Sequence, residues 1–244
     1  MFMRPHCIHD NMCNLPYIYS PVIALLTVAS DSTLTVMKTV SPSFRCFSIS
    51  LLDTDTFLVG TVDHRKPVRT ITIRGTEGEL SNASVPNKTY GFCESTCTYI
   101  PSTKTMVLAD RKDNAVYMCS TETSECRKVT DDRIRRPYSV CGGPGGTVIV
   151  CCYGSDTIVQ LSPQGDVMME QSVGMMRPWA VSVSRDGSHM VVSNRHKNNR
   201  KIKLFRLVCS WSHRHASRSP WQPSRGRKHD CGLCRGQINN VTIT

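Results

Sequence analysis

A β-propeller of about four visible blades is the fold this sequence predicts, and three observations predict it. Apolar residues come in short runs rich in Val, Ile, Thr and Phe, the residues that suit a pleated, half-buried surface. Turns of Gly, Asp, Asn and Pro separate the runs. The order of parts also repeats. Pro137 and Pro178 lie 41 residues apart, as do Gly146 and Gly187, while Thr105 and Thr147 are 42 apart and Thr56 and Thr105 are 49 apart. A unit of that length holds about four short strands and cannot bury its own apolar faces, whereas stacked units can. A sandwich spaces its strands as evenly but does not repeat the order of parts.

Taken in order, residues 1–32 read as an irregular leader. Its apolar stretch, Val22 to Ser30, is too short to span a bilayer. Asp10, Asn14, Pro16 and Pro21 interrupt the approach to it, unlike a signal peptide. Thr33 to Val40 alternates and reads as an outer strand. The first unit, Pro42 to Glu79, has strand runs at Phe44–Ile49, Phe57–Gly60 and Val68–Ile73. The second, Tyr90 to Val129, has runs at Phe92–Ile100, Met106–Ala109 and Ala115–Cys119. The third, Arg136 to Gln171, has Pro137–Val140, Val148–Val150 and Ile158–Leu161, with Val167–Met169 as a fourth, outer strand. The fourth has Ala180–Val183, His189–Val192 and Ile202–Phe205. The propeller thus spans 33–207, and 208–244 reads as a basic, disordered tail.

The chain has 244 residues, of which 39% are hydrophobic, enough for a core. Its net charge of +11 is unevenly placed. Residues 1–194 hold 18 Lys and Arg against 18 Asp and Glu, while residues 195–244 hold 12 against one. The body therefore need not bind a polyanion, although the tail has the charge to do so. There are 13 cysteines, an odd number, and Cys46, Cys141, Cys151 and Cys152 sit inside strand-like runs. There a thiol behaves as a small hydrophobe. Cys119 and Cys126 flank a turn and could approach each other, but reduced thiols and a cytoplasmic location are expected. The sequons at Asn82, Asn87 and Asn240 keep a secreted location as the alternative. No membrane partner is expected.

Two stretches carry a family likeness. Val107-Leu-Ala-Asp110-Arg-Lys-Asp-Asn114-Ala-Val116 and Arg177-Pro178-Trp-Ala-Val-Ser-Val-Ser-Arg-Asp186-Gly187 resemble the NHL repeat. That pattern has a Pro-initiated strand, an Asp-Gly turn, an apolar strand and then Asp-x-x-x-Asn. The likeness covers 33–207 and is similar to the C-terminal six-bladed propellers of tripartite-motif proteins, here incomplete. It implies a non-catalytic protein-interaction module in a ubiquitin-linked setting. The zinc modules and coiled coil of those proteins have no counterpart in this sequence, so ligase activity is expected only of longer relatives.

In a propeller, the loops joining each second strand to the third gather on one face. Here they are Asp63-His64-Arg65-Lys66, Asp110-Arg111-Lys112-Asp113, Tyr153 with Gly154-Ser155-Asp156, and Arg195-His196-Lys197 with Asn198-Asn199-Arg200. Three of the four carry two or more cations. The candidate binding face is therefore His64, Arg65, Lys66, Arg111, Lys112, Tyr153, Arg195, His196 and Lys197, suited to an unidentified protein partner or, as the alternative, to RNA. Asp63, Asp110 and Asp113 offset part of that charge, and Tyr153 is the one aromatic placed to stack on a base. Cys231-Gly-Leu-Cys234 with Cys209 and His213 has zinc-like spacing but lacks a second CxxC and an apolar module, so no metal is expected. No nucleophile–base pair or paired carboxylate stands out, and the chain is expected not to be an enzyme and to need no cofactor. A calcium-dependent propeller lactonase ranks third, since Glu94 is the one acid in the inner-strand runs.

If RNA is the ligand, single-stranded RNA will be retained with a steep salt dependence. Changing Arg65, Lys66, Arg111 and Lys112 together to Glu will abolish retention, as read by electrophoretic mobility at rising salt. Unchanged retention in that variant removes the face from consideration.

Overall fold

The structure is a computed structural model, and it describes residues 4–5, 22–28, 31, 33–80, 84, 86–196, 200–210 and 235–241. Its secondary structure is strand apart from one short 3-10 turn at Pro144–Gly146. An N-terminal three-stranded sheet contains β1 (Arg4–Pro5), β2 (Ile23–Val28) and β3 (Leu34–Val40). Four four-stranded blades follow. The first has β4 (Cys46–Leu51), β5 (Thr56–Thr61), β6 (Val68–Thr72) and β7 (Glu77–Gly78). The second has β8 (Ser95–Ile100), β9 (Thr105–Asp110), β10 (Ala115–Ser120) and β11 (Cys126–Thr130). The third has β12 (Pro137–Gly142), β13 (Val148–Cys152), β14 (Thr157–Leu161) and β15 (Val167–Ser172). The fourth has β16 (Pro178–Val183), β17 (His189–Asn194), β18 (Ile202–Ser210) and β19 (Arg235–Val241). Every pairing is antiparallel between sequence neighbours, so each blade is a meander. The first strands β4, β8, β12 and β16 stand side by side as the inner strands.

The strand runs explain themselves by which faces they bury. In β9, Met106 and Leu108 pack back onto the first blade, while Val107 and Ala109 pack forward onto the third. In β13, Val148, Val150 and Cys152 face the second blade, and Ile149 and Cys151 face the fourth. A strand sandwiched between two blades is apolar on both sides and reads as a continuous run. By contrast, β17 has one covered face. Met190 and Val192 are fully buried, whereas His189 and Val191 are exposed, so the strand alternates. At the other end, Ile23 and Leu25 of β2 pack with Phe57, Val59 and Ile71 of the first blade. Three strands among the described residues lie outside 33–207: β1 and β2 precede that span, and β19 lies beyond it, paired with β18.

Several local expectations change. Phe92 lies before β8 rather than in it, with 48% of its surface exposed. An outer strand, β11, closes the second blade, and it places Cys126 directly opposite Cys119 of β10. The two thiols are joined as a disulfide, which corrects the expectation of reduced thiols for this pair. Cys93, Cys97, Cys151 and Cys152 are buried and form no disulfide, and burial pushes the Cys97 and Cys152 thiols up to about 12. Among the described residues no helix is long and apolar enough to cross a membrane.

Two polar devices hold consecutive blades in register. The first joins inner strands. Ser48 Oγ accepts the Cys97 N–H at 2.9 Å and Ser50 Oγ accepts the Tyr99 N–H at 3.0 Å. Ser139 Oγ accepts from Val181 N–H at 3.4 Å, and Thr96 Oγ1 donates to the Tyr138 carbonyl at 2.9 Å. Gly60 makes room for one of these clasps, because a Cβ there would collide with Ser48 Oγ. The second device sits where one blade hands over to the next. Arg136 and Arg177, immediately before the prolines that open β12 and β16, have φ of 46° and 55°. L-residues seldom adopt that region. Each is held by a side-chain acceptor from the preceding loop: Asn114 Oδ1 takes the Arg136 N–H and Asp156 Oδ1 takes the Arg177 N–H, both at 2.7 Å.

Asp110 is fully buried and is not part of the solvated loop charge the sequence suggests. Its carboxylate accepts from Lys88 Nζ at 2.7 Å, Tyr90 Oη at 2.9 Å and the backbone N–H groups of Lys112 and Asp113 at 3.0 Å. Burial alone would lower the Lys88 pKa, but hydrogen bonds to Asp110 and Asp113 outweigh it and raise the pKa. The folded chain therefore holds that proton to higher pH than the unfolded chain. The stability it contributes is complete below the ordinary lysine pKa and is lost as pH rises through the raised one.

Asp156→Ala will lower stability by about 1 kcal/mol, the worth of one charge-assisted backbone acceptor, while Asp156→Asn will hold most of it, in urea denaturation. Asp110→Ala, which strands the Tyr90 hydroxyl and leaves Lys88 with Asp113 alone, will cost about 3 kcal/mol in the same assay.

Candidate functional site

The inner strands of three blades carry the same irregularity. The ladder between the first and second strands skips a residue between Cys46 and Ser48, between Pro137 and Ser139, and between Pro178 and Ala180. The skipped residues are Phe47, Tyr138 and Trp179. A bulge leaves its extra residue out of the ladder and re-aims its side chain. A proline at the head of β12 and β16 favours the break, since it has no N–H to give. Blade two has an unbroken ladder, with Thr96 at this position. Phe92, from the loop before β8, supplies the ring there, 5.1 Å from Phe47 centroid to centroid.

A second repeated position meets these rings. Val62, Arg111, Tyr153 and Arg195 each follow the last residue of a second strand, and the last three are spaced 42 residues apart. Their N–H groups donate to the carbonyls of Arg45, Glu94, Arg136 and Arg177, at the start of the same blade. This ties each loop back to its own inner strand and fixes where its first side chain goes.

Together the two positions build one cluster at the loop end of the inner strands. Tyr138 and Trp179 lie with ring centroids 3.5 Å apart, and Tyr153 stands 6.0 Å from Tyr138 and 6.3 Å from Trp179. Three guanidinium groups cap the rings. Arg111 lies 5.7 Å from the Tyr138 centroid and 5.6 Å from that of Tyr153, Arg177 lies 5.7 Å from Tyr153, and Arg195 lies 4.4 Å from Trp179. Cations over ring faces are attracted by the ring quadrupole, which orders otherwise mobile arginines. Tyr138 itself is only 3% exposed, and its hydroxyl has no nitrogen or oxygen partner among the described residues. Burial raises its pKa, hydrogen bonding with the Cys93 thiol adds to this, and the charges of Arg195 and Arg111 oppose it. Glu94 is the nearby acid. Burial pushes its pKa up, but Lys112 at 2.8 Å, the Gly91 N–H and the Arg111 charge together hold it below the usual carboxylate value.

Of the residues proposed from sequence, Arg111, Tyr153 and Arg195 meet in this cluster. Lys112 stands beside it, paired with Glu94. His64, Arg65 and Lys66 belong to the first blade's loop. His64 Nδ1 accepts the Lys66 N–H at 3.0 Å, Lys66 pairs with Glu79 at 3.2 Å, and Arg65 lines a cleft with Pro86 and Asn87. His196 lines a separate cleft with Asp156, Asn194 and Lys201. Lys197 lies outside the described residues, as do His213 and Cys231 to Cys234 of the candidate zinc ligands. Sequence reading missed Phe47, Phe92, Tyr138, Arg177 and Trp179. The signal for two of them was present: Tyr138 and Trp179 follow the two prolines that mark the repeat.

No family model and no curated protein matches the sequence. The fold does match solved structures. A functionally unknown protein from Desulfotomaculum acetoxidans matches with a TM-score of 0.54 at 12% identity, over 78% of this chain and 60% of that one. Virginiamycin B lyase from Staphylococcus aureus matches with a TM-score of 0.52 at 14% identity, over 82% of this chain and 56% of that one. A catalytically inactive form of that lyase with quinupristin also scores 0.52, at 13% identity, over 78% and 64%. The chain therefore spans less than two thirds of the length of each of these structures, and the likeness is one of fold. It corrects one expectation: the same architecture carries a lyase, so the propeller gives no ground for reading this chain as a non-enzyme.

Proposed function

We propose that the chain is a propeller scaffold that receives a protein partner on its loop face, centred on Arg111, Tyr153, Trp179 and Arg195. The observation that carries this reading is the convergence of aromatic rings and guanidinium groups from successive blades onto one patch. Trp, Tyr and Arg are the residues that dominate the energy of protein interfaces, because they bring large rigid area together with directional donors. Trp179 sits on an inner strand held by a serine clasp, and the backbones of Arg111, Tyr153 and Arg195 are tied to the start of their own blades, so the groups are ordered before binding and little entropy is lost there. The NHL-like repeat pattern supports the same reading. RNA is the second reading, favoured by the half-exposed ring of Phe92 against Phe47 at the edge of the cluster that the arginines cap, a ring on which a base can stack.

The test is selection of a displayed random-peptide library against the full chain. Enriched peptides are expected to lose thirtyfold or more in affinity for the Arg111→Ala, Trp179→Ala, Arg195→Ala triple variant, about 2 kcal/mol. Peptides that bind that variant equally well place the interaction elsewhere and end this reading.

A further inference from the structure

The cluster of rings and arginines, the hub of the loop face, has one feature that general stickiness does not require: a deeply buried tyrosine in a ring stack that guanidinium groups cap. Tyr138 is 3% exposed, and its hydroxyl hydrogen-bonds the Cys93 thiol, a weak partner, with no oxygen or nitrogen partner among the described residues. A buried hydroxyl usually has a stronger acceptor than a thiol. The Arg111 and Arg195 charges act on that hydroxyl, and Arg111, Arg177 and Arg195 all lie within 5.7 Å of a ring of the cluster. The acids around it are already engaged. Glu94 is paired with Lys112, whereas Asp156 bonds the neutral Arg177 N–H and keeps its charge, one carboxylate against the three arginines. Asp110 is buried against Lys88 and Tyr90, and Asp63 pairs with Arg45. The patch therefore carries an excess of positive charge fixed over aromatic faces. Guanidinium groups present planar forks of N–H donors that fit carboxylate and phosphate oxygens.

We propose that this hub is an oxyanion receptor: it takes a carboxylate or phosphate monoester presented by a protein partner between Arg111 and Arg195, above Tyr138. The group next to the anion lies against Trp179 and Phe92. This rests on the reading that a protein partner docks on this face, and it adds the chemical group the partner must show. Phe92, half exposed at the edge of the cluster, and Trp179, partly exposed, give the neighbouring group an apolar wall. Arg177 lies over Tyr153 on the other side. The exchange involves no covalent step.

The experiment titrates phenyl phosphate, benzoate and uncharged benzamide into the nitrogen-15-labelled full chain at constant ionic strength. The indole N–H of Trp179 is followed and assigned with Trp179→Phe. Phenyl phosphate and benzoate are expected to bind at least tenfold more tightly than benzamide, with phenyl phosphate the tighter if a phosphomonoester is the natural group and benzoate if it is a carboxylate. Arg111→Met and Arg195→Met, which keep much of the side-chain volume, will each weaken anion binding about tenfold. Arg206→Met, on the open side of the last blade, will leave it within twofold. Should an arginine variant fail to fold, Tyr138→Phe keeps the ring stack and will still weaken the anions several-fold without affecting benzamide. Benzamide binding as well as the anions, or anion binding that survives all three hub variants, overturns the proposal. So does hub-dependent binding of a single-stranded RNA oligomer with no response to either small anion, which assigns the patch to RNA. Selected peptides that bind the hub without an acidic or phosphorylated residue also overturn it, while leaving the docking face itself in place. Small-anion binding with no selectable peptide does the reverse.

Discussion

The inner strand of each blade has one hydrogen-bonding edge with no strand beside it, and the structure depends on how that edge is filled. An unpaired row of N–H and C=O groups next to apolar faces is both costly and adhesive. Here hydroxyls from the neighbouring blade's inner strand fill it: Ser48 and Ser50 for the second blade, Ser139 for the fourth, and Thr96 toward the carbonyl of Tyr138. These bonds do more than satisfy an edge. They fix one sheet's height relative to the next, so that Met106 and Leu108 meet the first blade and Val107 and Ala109 meet the third without a slip. Gly60 is explained by the same constraint, since the Ser48 hydroxyl occupies the space a side chain would need.

The site grows from a departure from this regularity. A ladder without breaks would give each inner strand an alternating pattern and leave no residue over. The bulges at Phe47, Tyr138 and Trp179 each leave one, and in each blade that residue is a ring. Arg111 and Arg195 arrive by a different route, as the first residue after the second strand, with the backbone tied to the start of the same blade, while Arg177 comes from the bend just before β16. Two positions of one repeat, each unremarkable in a single blade, become a cluster because the blades place copies of them around a common centre. The left-handed conformations of Arg136 and Arg177, with acceptors from Asn114 and Asp156, set the angle at which each strand enters.

Charge in the sequence proved a poor guide to charge at the surface. Lys66 and Lys112 counted toward a basic face, yet each has a carboxylate partner, Glu79 and Glu94. Asp110 counted against it, yet lies at 0% exposure where it organises Lys88 and Tyr90. Cysteine reading failed at one place for a comparable reason. Cys119 and Cys126 looked like two thiols flanking a turn, and the β10–β11 register puts them directly opposite each other.

The sequence by itself determined the repeat: the spacing of Pro137 and Pro178 and of Gly146 and Gly187, the continuous apolar runs of strands buried on both faces, and hence an all-β propeller. Those features are local or periodic, and periodicity survives in one dimension. It also contained Arg111, Tyr153 and Arg195 as loop residues on one face. The tertiary structure alone decided that Tyr138 and Trp179 would stack, that Phe92 would replace the ring missing at Thr96, and that β2 would pack on the first blade. Each of these depends on the registers between strands and blades far apart in sequence. A one-residue bulge moves a side chain from one face of a sheet to another, and nothing in composition or spacing announces where the ladder will skip.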